Sequence, residues 1–158
     1  MSSQTSMSST YHASDGPAYE YWLGRWARRL AEPFLDFAAF ARDGDLLDVG
    51  CGTGALTFAM AERWPGRCVS GIDIAPRFIE YARARRTGTT PILEVADACA
   101  LPYQAGHFVG AATQCVLMFI PTPDIAVQEM KRVVRSGGTV AATLWDFRGG
   151  LVLSLIHI

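Results

Sequence analysis

Residues 46–54 read Leu46-Leu47-Asp48-Val49-Gly50-Cys51-Gly52-Thr53-Gly54, a short apolar run that ends in three alternating glycines. Asp45 to Val49 has the make-up of a buried strand, entered from the Asp43-Gly44 turn and closed by those glycines. Residues 54–64 then read as a helix, stopped by Pro65-Gly66. A strand that turns this sharply into a helix needs residues without a Cβ, and the same residues let a ligand approach the backbone closely. The helix start beyond the turn offers N–H groups and partial positive charge to an anionic group.

The pattern repeats outward from this turn. Cys68 to Asp73 reads as a second strand, and Pro76 opens a helix running through Arg86. Ile92 to Ala96 is a third strand and Phe108 to Gln114 a fourth. Thr122-Pro123-Asp124 opens a helix to about Val134, and Ser136-Gly137-Gly138 turns into a fifth strand, Thr139 to Trp145. Strands alternating with helices at this spacing predict an α/β fold, a Rossmann-like doubly wound, mostly parallel sheet with helices on both faces. Before the first strand, Tyr19, Trp22, Leu23, Trp26 and Leu30 recur at helical steps, and Pro33 suits the first turn of a second helix carrying Phe34, Leu35, Phe37 and Phe40. The domain is therefore expected over 15–146, with N-terminal helices in 17–42 and the core in 44–146. Residues 1–14, rich in Ser and Thr, read as a disordered tail.

Composition sets bounds on function. Half of the 158 residues are hydrophobic and 18% are charged, ordinary for a soluble domain. The net charge of −1 advertises neither nucleic acid nor an anionic membrane, and Lys131 is the only lysine. Cys51, Cys68, Cys99 and Cys115 form no C-x-x-C pair and no zinc spacing, so no metal is expected. No signal peptide and no stretch near the ~20 apolar residues of a membrane span are present, which makes a cytoplasmic protein the expectation.

Two carboxylates accompany the glycine loop. Asp73 ends the second strand, where it can accept both hydroxyls of a ribose lying across the strand ends. Asp97 follows the third strand in Ala96-Asp97-Ala98, where it could accept from the exocyclic amine of an adenine while the Ala98 N–H donates to a ring nitrogen. Three successive strand ends thus describe an adenosine site.

LLDVGCGTG, GIDIAP, ADACALPY and RVVRSGGTVAATLWD together resemble the class I S-adenosylmethionine-dependent methyltransferases, over about Gly44 to Asp146. The likeness is to the branch that methylates small molecules, such as ubiquinone- and menaquinone-pathway enzymes. The resemblance implies a strand order of 3-2-1-4-5 and S-adenosylmethionine as cofactor. By position, Gly50, Cys51, Gly52, Thr53 and Gly54 would form the loop under its methionine part, and Asp48 would help hold its amino group. Asp73 would take the ribose hydroxyls, Ile74 would pack on the adenine, and Asp97 with Ala98 would read its edge. Gln114 would face the methionine moiety and the acceptor pocket. Tyr11, Tyr21 and Arg25 are candidates for closing over the cofactor from the N-terminal side.

The implied reaction is in-line methyl transfer to a small-molecule acceptor, which requires a base only if the acceptor must lose a proton. No residue identifies itself as that base, and His12 and His107 read as surface histidines. The fourth strand runs into Gln114-Cys115-Val116-Leu117-Met118 without the Asn/Asp-Pro-Pro-aromatic motif of amino-directed nucleic-acid enzymes, and no Pro-Cys pair is present. Both absences argue against DNA or RNA as acceptor. The final Leu153-Ser154-Leu155-Ile156-His157-Ile158 resembles translated adapter sequence, so 147–158 is expected to be non-native or truncated and the family's last antiparallel strands to be missing.

Two rivals stay open. Gly50-x-Gly52-x-x-Ala55 also satisfies a loose dinucleotide pattern with Asp73 as its ribose carboxylate, although Asp48 would repel a pyrophosphate and no Tyr-x-x-x-Lys pair is present. A non-catalytic adenosine-binding module would carry the same motifs.

Overall fold

The computed structural model describes residues 16–41, 43–146 and 150–157. The chain opens with α1 (Gly16–Tyr19), a π-helical turn (Glu20–Gly24) and α2 (Arg25–Ala38). The core follows as β1 (Leu46–Val49), α3 (Ala55–Arg63), β2 (Val69–Asp73), α4 (Pro76–Arg85) and β3 (Ile92–Val95). It continues with β4 (Phe108–Gln114), a 3₁₀ turn (Leu117–Phe119), α5 (Pro123–Val133), β5 (Val134–Asp146) and β6 (Gly150–His157). Tyr11, His12 and the predicted tail 1–14 lie outside the described residues.

The sheet order is β3-β2-β1-β4-β5-β6. The first five strands pair in parallel in the expected order 3-2-1-4-5. β6 then adds antiparallel to β5, pairing Thr139 with His157 through Asp146 with Gly150. The expectation that the terminal antiparallel strands would be missing is therefore corrected by one such strand. Its physical reason is the unpaired N–H and C=O row along the edge of β5, which the apolar run 150–157 satisfies.

Alternation along β1 sorts the core. Leu46 packs with Phe34 and Leu35 of α2 and Leu56 and Met60 of α3 on one face. Leu47 and Val49 pack with Ile72, Phe108, Ala111, and Met130 and Val133 of α5 on the other. Asp48, two residues from Leu46, accordingly faces α3.

The elements lie close to where the sequence puts them, with two exceptions, one helical and one in β5. The two expected N-terminal helices are one helical run, because Pro33 lies inside α2 rather than opening a new helix. A mid-helix proline costs about 3 kcal/mol; burial of Ala31, Phe34, Leu35 and Ala38 against the sheet offsets it. The Ser136-Gly137-Gly138 turn is instead a bulge within β5: Phe108 pairs with Val134 but Gly110 with Thr139. Gly137 takes φ +78 there, a left-handed conformation that glycine accepts without strain.

Candidate functional site

β1 and β4 are the strands at which the sheet order reverses, and a crevice at their carboxyl ends is the place such folds bind ligands. A cavity of about 440 Å³ occupies it. Its strand-end wall comprises Asp48, Gly50, Cys51, Gly52, Thr53, Asp73, Ile74, Ala98 and Gln114. Nine of the eleven sequence-predicted site residues therefore meet in one space.

The loop is fixed by backbone geometry. Gly50, Gly52 and Gly54 have φ of +76, +53 and +92, where a Cβ is disfavoured. A Cβ on Gly50 would lie 2.5 Å from Val116, whereas one on Gly52 would meet nothing within 4 Å and would intrude only on the open space. Gly50 and Cys51 N–H groups both donate to the Ile72 carbonyl at 2.8 Å, which ties the loop to β2. Gly54 does not line the cavity; it caps α3 over Phe58.

The carboxylates differ in their surroundings. Asp73 accepts from the N–H of Gly52 through Oδ2 and from the N–H of Ala75 through Oδ1, each at 2.8 Å, so it clasps two loops at once. Each oxygen keeps a second lone pair for a ligand hydroxyl. Burial raises the Asp73 carboxyl, against the lowering effect of those two bonds. Asp48 is fully buried. Its Oδ2 accepts from the Thr57 hydroxyl at 2.5 Å, while Oδ1 has no protein partner. Desolvation, only partly opposed by Thr57 and reinforced by the charge of Asp73, raises its pKa to about 7.

Asp97 sits beside the cavity, in the loop after β3. It is not among the residues lining the cavity; its Oδ1 accepts the Cys99 N–H at 2.8 Å, an Asx-type turn that shapes the loop carrying Ala96 and Ala98. Tyr21 and Arg25 lie outside the cavity wall. Tyr21 is 70% exposed, and the Arg25 guanidinium lies 5.3 Å over the Trp26 ring; neither lines the cavity. His107 sits at the opposite, amino-terminal end of β4, 3.7 Å from Asp45 Oδ2.

The second wall was not anticipated as such. Tyr19, Leu23, Trp26, Ala27, Arg29, Leu30 and Pro33 line it from the helical run 16–38. Four of the five residues of the predicted stripe, Tyr19, Leu23, Trp26 and Leu30, thus face ligand space and Trp22 is exposed beside it, while the next turns of α2 supply the core. Gln114 ties the walls together: its Nε2 donates to the Ala27 carbonyl at 3.0 Å, and its Oε1 is buried without a partner. Among the described residues Arg29 is the one cation in the lining and no carboxylate lies within ion-pair distance of it; its guanidinium stacks 5.4 Å from the Trp26 ring. Phe119, Ile120 and Trp145 extend the apolar surface. Cys115, also in the lining, holds φ +60, a strained value for a residue with a side chain. Among the described residues no group of three or more His, Cys, Asp and Glu side chains could hold a metal ion. No described helix is long and apolar enough to cross a membrane.

The chain is 32% identical over 134 residues to a malonyl-(acyl-carrier protein) O-methyltransferase of Geobacter sulfurreducens, covering 84% of this chain and 49% of that protein. It spans half or less of the length of the first curated relatives it matches. Among solved structures it is similar to the 4+2 cyclase SpnF at 28% identity and a TM-score of 0.69, covering 86% of this chain and 50% of that one. The fold is shared with a Haemonchus contortus phosphoethanolamine N-methyltransferase 2 crystallised with S-adenosylhomocysteine, at 21% identity, TM-score 0.71, and coverage of 82% and 32%. Residues 47–142, more than half of the chain, match the family described as a methyltransferase domain, and the chain belongs to that family.

Proposed function

We propose that this chain binds S-adenosylmethionine in the cavity and transfers its methyl group to a small-molecule acceptor. The observation that carries the reading is a pair of buried, unpartnered acceptor oxygens, Asp48 Oδ1 and Gln114 Oε1, on residues lining a cavity floored by the glycine loop. A buried acceptor without a donor costs about 1–3 kcal/mol, and an ammonium group is a donor set that fits both. Gly52 leaves backbone open to the cavity where a Cβ would intrude, and Asp73 retains lone pairs for vicinal hydroxyls. Arg29 is matched to the carboxylate of the same amino-acid moiety. Ile74, Phe78, Ala96 and Ala98 provide an apolar slot for a purine.

S-adenosylmethionine supplies an already electrophilic methyl group when bound. The chain's own task is then orientation and exclusion of water. Asp48, Gln114 and Arg29 would fix the zwitterionic end, Asp73 the ribose, and Trp26, Phe119, Ile120 and Trp145 would shield the remaining volume. Among the described residues, that volume is lined by no histidine or lysine and by no carboxylate beyond Asp48 and Asp73, and burial pushes the Cys51 and Cys115 thiols up, so the acceptor would arrive in a nucleophilic state. The absence of a basic stripe in the sequence favours a small molecule over nucleic acid, and free thiols at all four cysteines fit a cytoplasmic setting.

One observation favours a second reading, a pocket that binds an S-adenosyl compound without methylating anything: SpnF, at 28% identity, is named a cyclase. Transfer of a labelled methyl group across a panel of small carboxylic acids, thiols, amines and phenols separates the two. Turnover with any of them supports methyl transfer. Saturable S-adenosylhomocysteine binding with no turnover supports the second reading.

A further inference from the structure

The helical run 16–38 meets the glycine loop at one carboxylate. Glu20, its side chain 14% exposed, accepts from the Thr53 hydroxyl through Oε2 at 2.7 Å. The same oxygen lies 3.4 Å from Arg85 Nη1, and Oε1 is paired with Arg28. Arg85 closes the ring by donating from Nη1 to the Thr53 carbonyl at 3.2 Å. Four elements therefore converge on Glu20: the π-helical turn, α2 through Arg28, the glycine loop through Thr53, and α4 through Arg85. Gly24 makes room for this, since a Cβ there would fall 2.3 Å from Glu20 Oε2. Single π-helical turns within helices are frequent at functional sites, and this one places Glu20 within hydrogen-bond reach of Thr53.

Glu20, Arg28 and Arg85 do not line the cavity, whereas Thr53 does, as do Tyr19, Leu23 and Trp26 on either side of Glu20. The carboxylate thus acts through its neighbours. The far half of α2 is held by apolar packing of Phe34 and Leu35 under the sheet. The near half exposes Tyr21, Trp22, Leu23 and Trp26, and besides Glu20 it meets the body where Gly16 lies against Tyr81, where Tyr19 sits 4.9 Å from the Phe78 ring, and where the Ala27 carbonyl accepts from Gln114 Nε2.

We propose that Glu20 is a positioning residue for the ligand site. It holds Thr53 and with it the glycine loop in the ligand-binding conformation, and it keeps the near half of the helical run closed over whatever the loop has bound. The proposal rests on the reading that the loop binds an S-adenosyl compound. A carboxylate flanked by two guanidiniums makes charge-assisted bonds, about twice as strong as neutral ones. Its loss loosens Thr53 and the helical wall, which Gln114 still ties at the Ala27 carbonyl, so the effect falls mainly on the rate at which ligand leaves.

The test is stopped-flow binding of S-adenosylhomocysteine to the full chain, followed through the intrinsic fluorescence of Trp22 and Trp26. Glu20→Gln is expected to raise the dissociation rate about tenfold and to change the association rate less than threefold. Thr53→Val is expected to have a similar effect, and the double variant to be no worse than the weaker single one, because both break the same contact. A merely structural glutamate would instead lower the melting temperature, and its effect on affinity would multiply with that of Thr53→Val. Should Glu20→Gln fail to fold, Arg85→Gln removes one partner whose side chain is 33% exposed and is expected to speed dissociation in the same direction. Wild-type kinetics in these variants, or multiplicative effects in the double variant, overturn the proposal. If the wild type itself does not bind S-adenosylhomocysteine, the cofactor reading falls and this role with it; binding by wild type with unaltered dissociation in Glu20→Gln removes the role of Glu20 alone.

Discussion

The two walls of the cavity are held by different forces. The strand-end wall is built on β1, β2 and β4, whose residues are buried and whose loops are fixed by backbone bonds to Ile72 and to the Asp73 carboxylate. The helical wall is amphipathic in an unusual sense: one stretch of α2 is core, and the stretch before it faces ligand space with large exposed apolar side chains. A fixed wall suits a ligand common to many chemistries, whereas a wall held by a few polar ties can be reshaped around an acceptor. Within α2, burial rather than residue type separates structure from site.

The largest expected effect breaks that comparison within a single helix. Phe34→Ala, at a fully buried position, is expected to cost about 3–5 kcal/mol of stability in denaturant titrations. Trp26→Ala, about half exposed, is expected to cost less than about 1 kcal/mol. Equal losses at the two positions would mean that the cavity-facing stretch is core after all. Next, Asp73→Ala frees the Gly52 and Ala75 N–H groups and removes the ribose acceptor, and is expected to weaken S-adenosylhomocysteine binding about a hundredfold by calorimetry. Unchanged affinity would withdraw the ribose assignment.

A smaller effect sharpens the helical side. Arg29→Gln is expected to raise the dissociation constant for S-adenosylhomocysteine about tenfold, the loss of one charge-assisted contact. Full retention of affinity would move Arg29 from the cofactor's carboxylate to the acceptor.

The smallest effect is a pH dependence on the strand-end side. The Asp48 carboxyl sits at about 7 when folded, against an ordinary value of 3.8. Between these values the unfolded chain has lost a proton that the folded chain keeps, so this group's contribution to stability falls as pH rises from about 4 to 7 and is level above that. An ammonium beside Asp48 favours the carboxylate, so ligand binding at pH 6 is expected to release up to one proton and to tighten toward pH 7. Calorimetry in buffers of different ionisation enthalpy reads that proton directly. Asp48→Asn should bind without releasing it, and equal release from the variant would assign the proton elsewhere.

Most of the strand-end wall was legible in the sequence, because its signals are local. An apolar run into Gly50-x-Gly52-x-Gly54 fixes a turn, and Asp73 follows from the end of the next strand. Asp97 was less legible, because a carboxylate after a strand can face a ligand, cap its own turn or do both, and here its Oδ1 accepts the Cys99 N–H. The helical wall was only partly legible. Its stripe of Tyr19, Trp22, Leu23, Trp26 and Leu30 was visible, yet periodicity cannot tell a face that meets core from one that meets a cavity. Pro33 read as a boundary because local propensity says so, and tertiary packing overrode it. Glu20 and Arg29 carried no local signal beyond lying on that stripe's turns. Their roles depend on where the helix crosses the sheet.

The central claim is that this cavity takes an S-adenosyl compound. The most direct test is calorimetric titration of the folded chain with S-adenosylhomocysteine, with NAD in parallel. Saturable, near-stoichiometric binding of the first and none of the second is the predicted result. Binding of NAD alone would contradict the account, since it would place a pyrophosphate where Asp48 and Gln114 present only acceptors.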